Sequence, residues 1–455
     1  MPAGRFHPVK LGIRPWLGTM SAMNHPVRFT LLLALLLAAT PRSATANWPT
    51  WRGPNGDGVS PVADLPTTWS ATKNIRWRVD LPDRGNSTPI VWGDRIFVTQ
   101  AVESEHLRST MALDRMTGRT IWRRGTTHDK PETTHEDNPY CAASPVTDGN
   151  VVVSTYGSAG VFAYDLDGKE LWRRDLGPQV HVWGNASSPV IHDERVFLYH
   201  GPGAHSALYA LDLKSGATIW KRDLPEPVPT ERFDGFAGRG PGIIGSFSTP
   251  VLANFEGRDQ LVISLPEQLR SFATADGADL WHCRGLNPLV YTSPVIQGDH
   301  VLTLGGFFGA GMLVKPKGTG DITESARVWH EQRARKNRLG TGVIKDGLYF
   351  HLNQDGIAEC FELATGRQVW LERLPNMAPK GDSWSSALLA GDHVYMVNQS
   401  GETHVVKAGR EFEVVASNAV GEPTNSSLVV AGKDLILRTH RGLWCISQGR
   451  QLSAH

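Results

Sequence analysis

Polar and aromatic side chains that can bind a ligand are grouped in several segments of the sequence, each following a tryptophan. Such segments can present hydrogen-bonding groups, cations and flat apolar surfaces at one place. The candidate binding residues are His135, Asn138, Tyr140, His181, Trp183, Asn185, Arg239, Asn337, Arg338, Lys380 and Asp382.

The imidazoles of His135 and His181 are the candidates for proton transfer or metal binding. Structural hydrogen bonding is the alternative for both. No third ligand has a spacing that is diagnostic of a metal site, and no Ser/His/Asp, HExxH, P-loop or GxSxG signature follows residue 46. The sequence therefore predicts neither a metal centre nor an assignable catalytic residue.

The other candidates offer charge and stacking. A guanidinium such as that of Arg338 can hold a carboxylate or a phosphate, or can lie in a solvated loop. The indoles of Trp183 and Trp384 can stack on sugar rings, or can pack in the core. These groups suit a binding surface at least as well as a reaction centre.

A repeated pattern must position these segments, and residues 112–122 typify it. Thr117-Gly118 supplies a tight turn between two extended runs, because glycine adopts a positive φ without steric cost, and the second run carries Trp122. The recurring residues are Trp77, Trp122, Trp172, Trp220, Trp281, Trp329 and Trp370, with turn glycines Gly118, Gly168, Gly216 and Gly366. The intervals from Trp77 to Trp122, Trp122 to Trp172, Trp172 to Trp220 and Trp329 to Trp370 are 41 to 50 residues long, the size of a four-stranded propeller blade.

A second mark opens each unit with a serine or threonine, in five cases followed by proline. Proline suits an innermost strand, which is a sheet edge where a missing N–H breaks no ladder. The eight openings are Thr88-Pro89, Ser144-Pro145, Ser188-Pro189, Thr249-Pro250, Ser293-Pro294, Thr341-Gly342, Ser386-Ala387 and Ser427-Leu428. The sequence predicts an all-β, eight-bladed propeller of four-stranded antiparallel blades over residues 69–447.

Closure of the ring is also predicted, since the last unit supplies three strands and no fourth. Residues 74–81, which precede the first opening, resemble the tryptophan strand around Trp172 and can complete the last blade. Residues 47–68 then form an N-terminal extension and residues 448–455 a C-terminal tail.

The first 46 residues have the features of a signal peptide. Arg28 precedes an apolar run over residues 29–39, and Ala44-Thr45-Ala46 matches the small-residue cleavage pattern, so cleavage is expected after Ala46. Met20 or Met23 can be the true start, and a retained anchor is the alternative. No cysteine lies near the cleavage site to carry a lipid. We expect a periplasmic or secreted protein without a membrane span after cleavage.

Composition limits the classes of binding partner and indicates the redox state of the cysteines. The chain has 46 basic and 45 acidic residues, so electrostatics gives no reason to expect a nucleic acid. The four cysteines, Cys141, Cys283, Cys360 and Cys445, have no CxxC spacing. They are expected to be buried free thiols, with one disulfide as the alternative.

The Ala-x-Asp-x-x-Thr-Gly-x-x-x-Trp pattern at residues 112–122 resembles the repeat of the PQQ-like β-propeller family. That family includes quinoprotein dehydrogenases and the BamB-type scaffold of outer-membrane assembly. For a dehydrogenase the resemblance implies adjacent cysteines at the quinone, a Glu/Asn/Asp calcium site and an Asp base. No two cysteines are adjacent in this chain, which argues against PQQ and calcium as cofactors.

The sequence thus favours an exported, monomeric propeller that binds another exported protein or a glycan through its loop face, with no cofactor. The alternative is an enzyme. One version is a PQQ-dependent dehydrogenase. The other is a polysaccharide lyase or hydrolase in which His135 or His181 is the base and Arg239 or Arg338 holds a carboxylate.

Overall fold

Strands and turns alternate along the chain as the repeat predicts, and they build eight four-stranded antiparallel sheets, the blades of a β-propeller. The computed structural model describes Gly12 and residues 47–229, 232–236, 238, 243–333, 337–375 and 382–451. The predicted signal peptide, apart from Gly12, lies outside the described residues, as do Arg239 and Lys380. Within the described part, no helix has the length and apolar character needed to cross a membrane.

The blades are numbered in chain order. Blades 1 to 4 comprise Ile90–Trp92, Arg95–Val102, Leu107–Asp114 and Thr120–Thr127; Val146–Thr147, Val151–Thr155, Val161–Asp165 and Glu170–Arg174; Val190–His192, Arg195–His200, Ala207–Asp212 and Thr218–Asp223; and Val251–Phe255, Arg258–Leu265, Gln268–Ala273 and Asp279–Arg284. Blades 5 to 8 comprise Val295–Gln297, His300–Leu304, Gly311–Val314 and Arg327–Glu331; Val343–Lys345, Leu348–Leu352, Ile357–Glu362 and Gln368–Arg373; Leu388–Ala390, His393–Val397, Glu402–Lys407 and Val414–Ala419; and Val429–Ala431, Asp434–Arg438, Gly442–Gln451 and Lys73–Asp80.

A few short elements lie outside this plan. Gly245–Ser246 pairs in parallel with Leu289–Val290, and Gly320–Asp321 pairs in parallel with the last strand of blade 4. The helical turns are Glu103–Glu105, Gly157–Ala159 and Thr323–Ala326.

The predicted closure is confirmed. Lys73–Asp80 is the outer strand of blade 8 and runs antiparallel to Gly442–Gln451, with Trp77 opposite Cys445. The last strand continues to Gln451, opposite Lys73, and so extends past residue 447. Both ends of the described propeller are thereby held in one sheet.

Five of the repeat tryptophans each form a contact with the turn glycine of the next blade. The indole of Trp77 donates to the carbonyl of Arg115 (3.0 Å), and its ring lies where a Cβ on Gly118 would come within 2.7 Å. The same ring contact joins Trp122 to Gly168, Trp172 to Gly216, Trp220 to Gly277 and Trp329 to Gly366. The glycine is therefore required by its positive φ and by the tryptophan that covers it.

Trp370 and Trp281 depart from this arrangement. The indole of Trp370 donates to the carbonyl of Gly409 (3.0 Å), but a Cβ on Gly409 would meet no described atom within 4 Å. Trp281 is the second exception. Its indole donates to Oε1 of Gln260 (2.8 Å) within its own blade. Blade 5 has the helical turn Thr323–Ala326 before its last strand, where blades 1, 2, 3, 4 and 6 have a turn glycine, so no turn glycine of the described residues meets this indole.

The core lies between successive blades, where the apolar strand residues interleave. All four cysteines are buried free thiols, as expected from their apolar surroundings. Burial raises the pKa of the Cys141 and Cys360 thiols to about 12, so both are protonated at neutral pH.

Candidate functional site

The loops from each outer strand to the next inner strand surround a cavity of about 260 Å³ at the centre of the propeller. Two layers of side chains line it, and both come from the segment that opens each blade. The residues of the two layers are two positions apart, and since side chains of an extended segment alternate with period two, they face the same way.

The lower layer is the hydroxyl ring. In it, the backbone N–H of one opening residue donates to the side-chain hydroxyl of the next, which links the inner edges of adjacent blades. The links run from Ser144 to Ser188 (3.0 Å), Ser188 to Thr249 (3.0 Å), Thr249 to Ser293 (2.8 Å), Ser293 to Thr341 (3.1 Å), Thr341 to Ser386 (3.0 Å), Ser386 to Ser427 (2.9 Å) and Ser427 to Thr88 (3.2 Å). Serine and threonine recur at the openings because a short hydroxyl can accept this bond.

The upper layer, here the upper ring, stands two residues before the hydroxyl ring and is chemically diverse. It consists of Asn86, Ala142, Ala186, Phe247, Tyr291, Leu339, Trp384 and Asn425, all of which line the cavity. The scaffold is thus uniform in the hydroxyl ring, while the upper ring sets the shape and polarity of the cavity.

Aromatic rings form one side of the cavity around Tyr291. Phe247 stacks on Tyr291 with ring centroids 5.5 Å apart, and Phe307, Trp384 and Trp183 lie at 5.6, 6.3 and 6.3 Å. Burial raises the pKa of Tyr291 well above its usual range, with Asp234 adding to the effect, so the phenol is neutral. Tyr291 Oη and Trp384 Nε1 are buried and have no hydrogen-bond partner among the described residues.

The opposite side is polar and is held by the loop of residues 128–140. The amides of Asn86 and Asn425 both donate to the carbonyl of Asp137 (2.6 and 3.0 Å), and Gln399 donates to Oδ1 of Asp137 (2.7 Å). Oδ1 of Asn86 and Oδ1 of Asn425 are buried without a partner in the described part of the chain. The loop therefore spans from blade 1 toward blades 7 and 8, and leaves two buried amide oxygens unpaired, within the described part, on residues that line the cavity.

The N-terminal extension forms the other end of the cavity, which Trp51 lines. Arg52 is buried and donates to the carbonyls of Ala387 (2.6 Å) and Gly342 (2.6 Å), which directly follow Ser386 and Thr341 of the hydroxyl ring. Burial lowers the pKa of Arg52 to about 10, so it stays charged at neutral pH. The extension thus lies on the side of the ring that is remote from the loops.

A second buried cation lies at the junction of blades 8 and 1. Arg438 is fully buried and donates to Oγ of Ser87, the carbonyl of Thr99 (2.7 Å) and Oε1 of Gln100 (2.7 Å). Burial lowers the pKa of Arg438 to about 10. Among the described residues, neither Arg52 nor Arg438 forms an ion pair with a carboxylate.

Three of the candidate residues line the cavity, namely His135, Asn138 and Trp183. The amide of Asn138 donates to the carbonyls of Trp183 (2.7 Å) and Asn185 (3.2 Å), and so ties two successive loops together. The ring of His135 lies edge-on to Trp183, with centroids 5.9 Å apart, and Nδ1 is 3.6 Å from Oδ2 of Asp137. His135, Glu136 and Asp137 are close enough to share a cation, with Glu136 exposed.

Other candidates are engaged by the protein beside the cavity. Nε2 of His181 lies 3.0 Å from the carbonyl of Ile244, and burial lowers the pKa of His181. The hydroxyl of Tyr140 donates to the carbonyl of Glu132 (2.6 Å). Oδ1 of Asn337 accepts the N–H of Phe308 (3.2 Å).

Arg338 is likewise committed within the protein. Its guanidinium donates to both oxygens of buried Glu359 (3.3 and 3.0 Å) and to Glu331 (3.2 Å), and these carboxylates raise its pKa against the effect of burial. The carbonyl of Asp382 accepts the N–H of Gln399 (2.7 Å).

Most of the upper ring was not among the candidates. A sequence pattern that identifies the upper ring was present, since each member stands two residues before a serine or threonine opening. Reading it required knowledge that the openings face a common axis.

Of the residues that the resemblance to dehydrogenases implies, the adjacent cysteines have no counterpart in the described lining. All four cysteines are buried, and none lines the cavity. The lining carboxylate is that of Asp137, which already accepts from Gln399.

A family model and a curated relative each match most of the chain. A family model described as outer membrane protein assembly factor BamB matches residues 63–204, 108–371 and 204–451. The curated outer membrane protein assembly factor BamB of Burkholderia pseudomallei (strain K96243) is 21% identical over 393 residues, which are 84% of this chain and 87% of the relative.

Solved structures of BamB and of an alcohol dehydrogenase share the fold. BamB from Moraxella catarrhalis has a TM-score of 0.55 at 13% identity, covering 83% of this chain and 99% of its own. Quinohemoprotein alcohol dehydrogenase from Comamonas testosteroni has a TM-score of 0.63 at 12% identity, covering 90% of this chain and 82% of its own. The family match over most of the chain, together with the observed blades, shows that the protein belongs to the BamB family of PQQ-like β-propellers.

Proposed function

We propose that this protein is an exported binding scaffold that takes up a segment of another exported polypeptide through the cavity on its loop face. The observation that carries the proposal is a set of buried polar atoms that have no partner among the described residues, each on a side chain that lines the cavity: Tyr291 Oη, Trp384 Nε1, Asn86 Oδ1 and Asn425 Oδ1. An unpaired buried polar group costs about 1–3 kcal/mol, so a ligand that pairs with these atoms recovers that free energy.

The shape and chemistry of the cavity agree with a polypeptide segment. Aromatic rings on one side suit an apolar side chain, while the asparagine oxygens on the other can accept N–H groups. Export rests on the leader over residues 1–46, and a protein partner agrees with the printed name of the curated relative, an outer membrane protein assembly factor.

The test is capture of exported proteins by the chain that begins at Asn47, compared between the wild type and Trp384→Ala. Loss of the upper-ring indole should weaken capture of a specific partner at least about tenfold, because aromatic anchors dominate such contacts. Val415→Ala, on an exposed outer strand away from the cavity, is the control and should capture normally.

Equal capture by Trp384→Ala and the wild type, with both folded by circular dichroism, would contradict the proposal. Retention of a glycan and of no protein would contradict the choice of partner. Turnover of a substrate by the purified chain would favour the enzyme alternative.

A further inference from the structure

The hydroxyl ring presents hydrogen-bond donors that the protein itself does not use. The hydroxyls of Ser188, Thr249, Ser293, Thr341, Ser386 and Ser427 each accept a backbone N–H. Among the described residues, none of these hydroxyls donates a hydrogen bond to a protein acceptor. Oγ of Ser144 makes no hydrogen bond within this part of the chain. Each hydroxyl therefore retains a proton that it can donate to a ligand.

These donors converge on one volume. Seven of the eight ring residues line the cavity, namely Thr88, Ser144, Ser188, Thr249, Thr341, Ser386 and Ser427. A concave array of O–H donors without matching acceptors favours a ligand rich in acceptor oxygens.

Charge around the ring favours an anion, because two buried cations lie beside the ring. The carboxylate of the described lining, that of Asp137, is 4.0 Å from the guanidinium of Arg84. Arg52 donates to the carbonyls that follow Thr341 and Ser386, and Arg438 donates to Ser87, the neighbour of Thr88. Both guanidiniums are buried without a carboxylate partner in the described part of the structure. Their field is weakly screened by the protein interior, so it raises the potential along the ring.

We propose that the hydroxyl ring binds the carboxylate of a ligand whose apolar or aromatic body contacts the upper ring. The carboxylate accepts hydrogen bonds from the ring hydroxyls, and the body lies among Phe247, Tyr291 and Trp384. This assignment rests on the proposed function, because it identifies the chemistry of the ligand that enters the same cavity.

A carboxylate fits better than a phosphate dianion. The two guanidiniums are occupied by protein carbonyls and side-chain oxygens, so the ligand receives neutral hydroxyl donors and only the field of the cations. Desolvating a second negative charge would require a direct cationic partner. The same carboxylate chemistry can come from a free small acid or from the C-terminus of a peptide.

The experiment is isothermal titration of the chain that begins at Asn47. The ligands are 3-phenylpropionate, the peptide Ala-Ala-Phe with a free C-terminus, their neutral amides, and inorganic phosphate. We expect each acid to bind at least about tenfold more tightly than its amide. Tighter binding of Ala-Ala-Phe assigns the site to a peptide terminus, whereas tighter binding of 3-phenylpropionate assigns it to a free acid.

Two serine variants locate the effect. Ser144→Ala removes a ring hydroxyl that makes no bond to the described residues, so it should leave the fold intact and weaken the acids about tenfold, with no effect on the amides. Ser187→Ala is the matched control, because Oγ of Ser187 is buried without a partner among the described residues and Ser187 does not line the cavity. It should bind like the wild type.

Equal binding of acids and amides would overturn the carboxylate assignment, as would tighter binding of phosphate or an unchanged affinity in Ser144→Ala. If neither the acids nor the amides bind while partner capture still depends on Trp384, this inference fails and the proposed function stands. Loss of that dependence would instead remove the proposed function.

Discussion

The backbone N–H of Ser427 donates a hydrogen bond of 3.2 Å to Oγ1 of Thr88, a residue 339 positions earlier in the chain. This contact joins blade 8 to blade 1 at the inner edge. The pairing of Lys73–Asp80 with Gly442–Gln451 closes the propeller at the outer edge. Two separate contacts, one at the inner edge and one at the outer edge, therefore close the propeller.

The inner contact can be tested at Thr88. Thr88→Val keeps the shape but removes the acceptor, so the buried N–H of Ser427 loses its partner. We expect the free energy of unfolding to fall by about 1–3 kcal/mol in urea denaturation. Thr88→Ser retains the hydroxyl and is the control, and equal stability of the two variants would contradict a structural role for the ring.

The tryptophan–glycine contact predicts that alanine substitution lowers stability by different amounts at two glycines of similar φ. Gly118 (φ 73°) would place a Cβ 2.7 Å from the ring of Trp77, whereas Gly257 (φ 75°) has no atom within 4 Å of that position. Both alanine variants carry backbone strain, but Gly118→Ala also overpacks the blade interface. It should be less stable than Gly257→Ala by about 1–3 kcal/mol in thermal or urea unfolding. Similar losses of stability at both positions would show that the Trp77 indole can move aside without a measurable energetic cost.

Tyr349 and Tyr291 should respond differently to loss of the hydroxyl group, which is buried in both. Oη of Tyr349 accepts the N–H of Gly342 (2.8 Å), so Tyr349→Phe should lower the free energy of unfolding by about 1–2 kcal/mol. Oη of Tyr291 has no partner in the described part of the chain, so Tyr291→Phe should be neutral or slightly stabilising. Urea denaturation of the ligand-free protein measures both. A loss in Tyr291→Phe as large as in Tyr349→Phe would contradict the assignment of Tyr291 Oη to a ligand.

Stability should fall on acidification through His200. Burial lowers the pKa of His200 from 6.5 to about 4, because the charged imidazole is disfavoured inside blade 3. Between these values the unfolded chain binds the proton that the folded chain excludes, so the free energy of unfolding rises with pH. As the pH falls from about 6.5 to 4, this residue alone removes about 3 kcal/mol.

The measurement for His200 is urea denaturation at several pH values between 4 and 7. His200→Gln can keep a donor toward the carbonyl of Gly177, which Nε2 of His200 contacts at 3.2 Å, and it cannot titrate. This variant should lose stability less steeply than the wild type below pH 6.5. Parallel curves for the two proteins would rule out this contribution.

The sequence predicted the blades because their marks are local and repeated. The turn at Thr117-Gly118, the strand at Trp122 and the serine or threonine openings recur at blade-length intervals, and the incomplete last unit matched the spare strand around Trp77. The burial of the cysteines followed similarly from their apolar neighbours.

The candidate site was less predictable, because it depends on which groups meet after the ring closes. His181 and Arg338 have the side chains of a functional site, yet one lies against the carbonyl of Ile244 and the other is bound by Glu359. No local pattern gives those partners, since they come from other loops and strands.

The sequence alone therefore determined the repeat, the number of blades and the way the ring closes, since hydrophobic period and turn chemistry act over a few residues. Only the tertiary structure decided that Asn86, Tyr291 and Trp384 face one another across a cavity above a ring of hydroxyls. The physical reason is that radial position follows from the packing of all eight blades. An extended segment fixes which side chains share a face, but its tilt toward the axis is set by its neighbours.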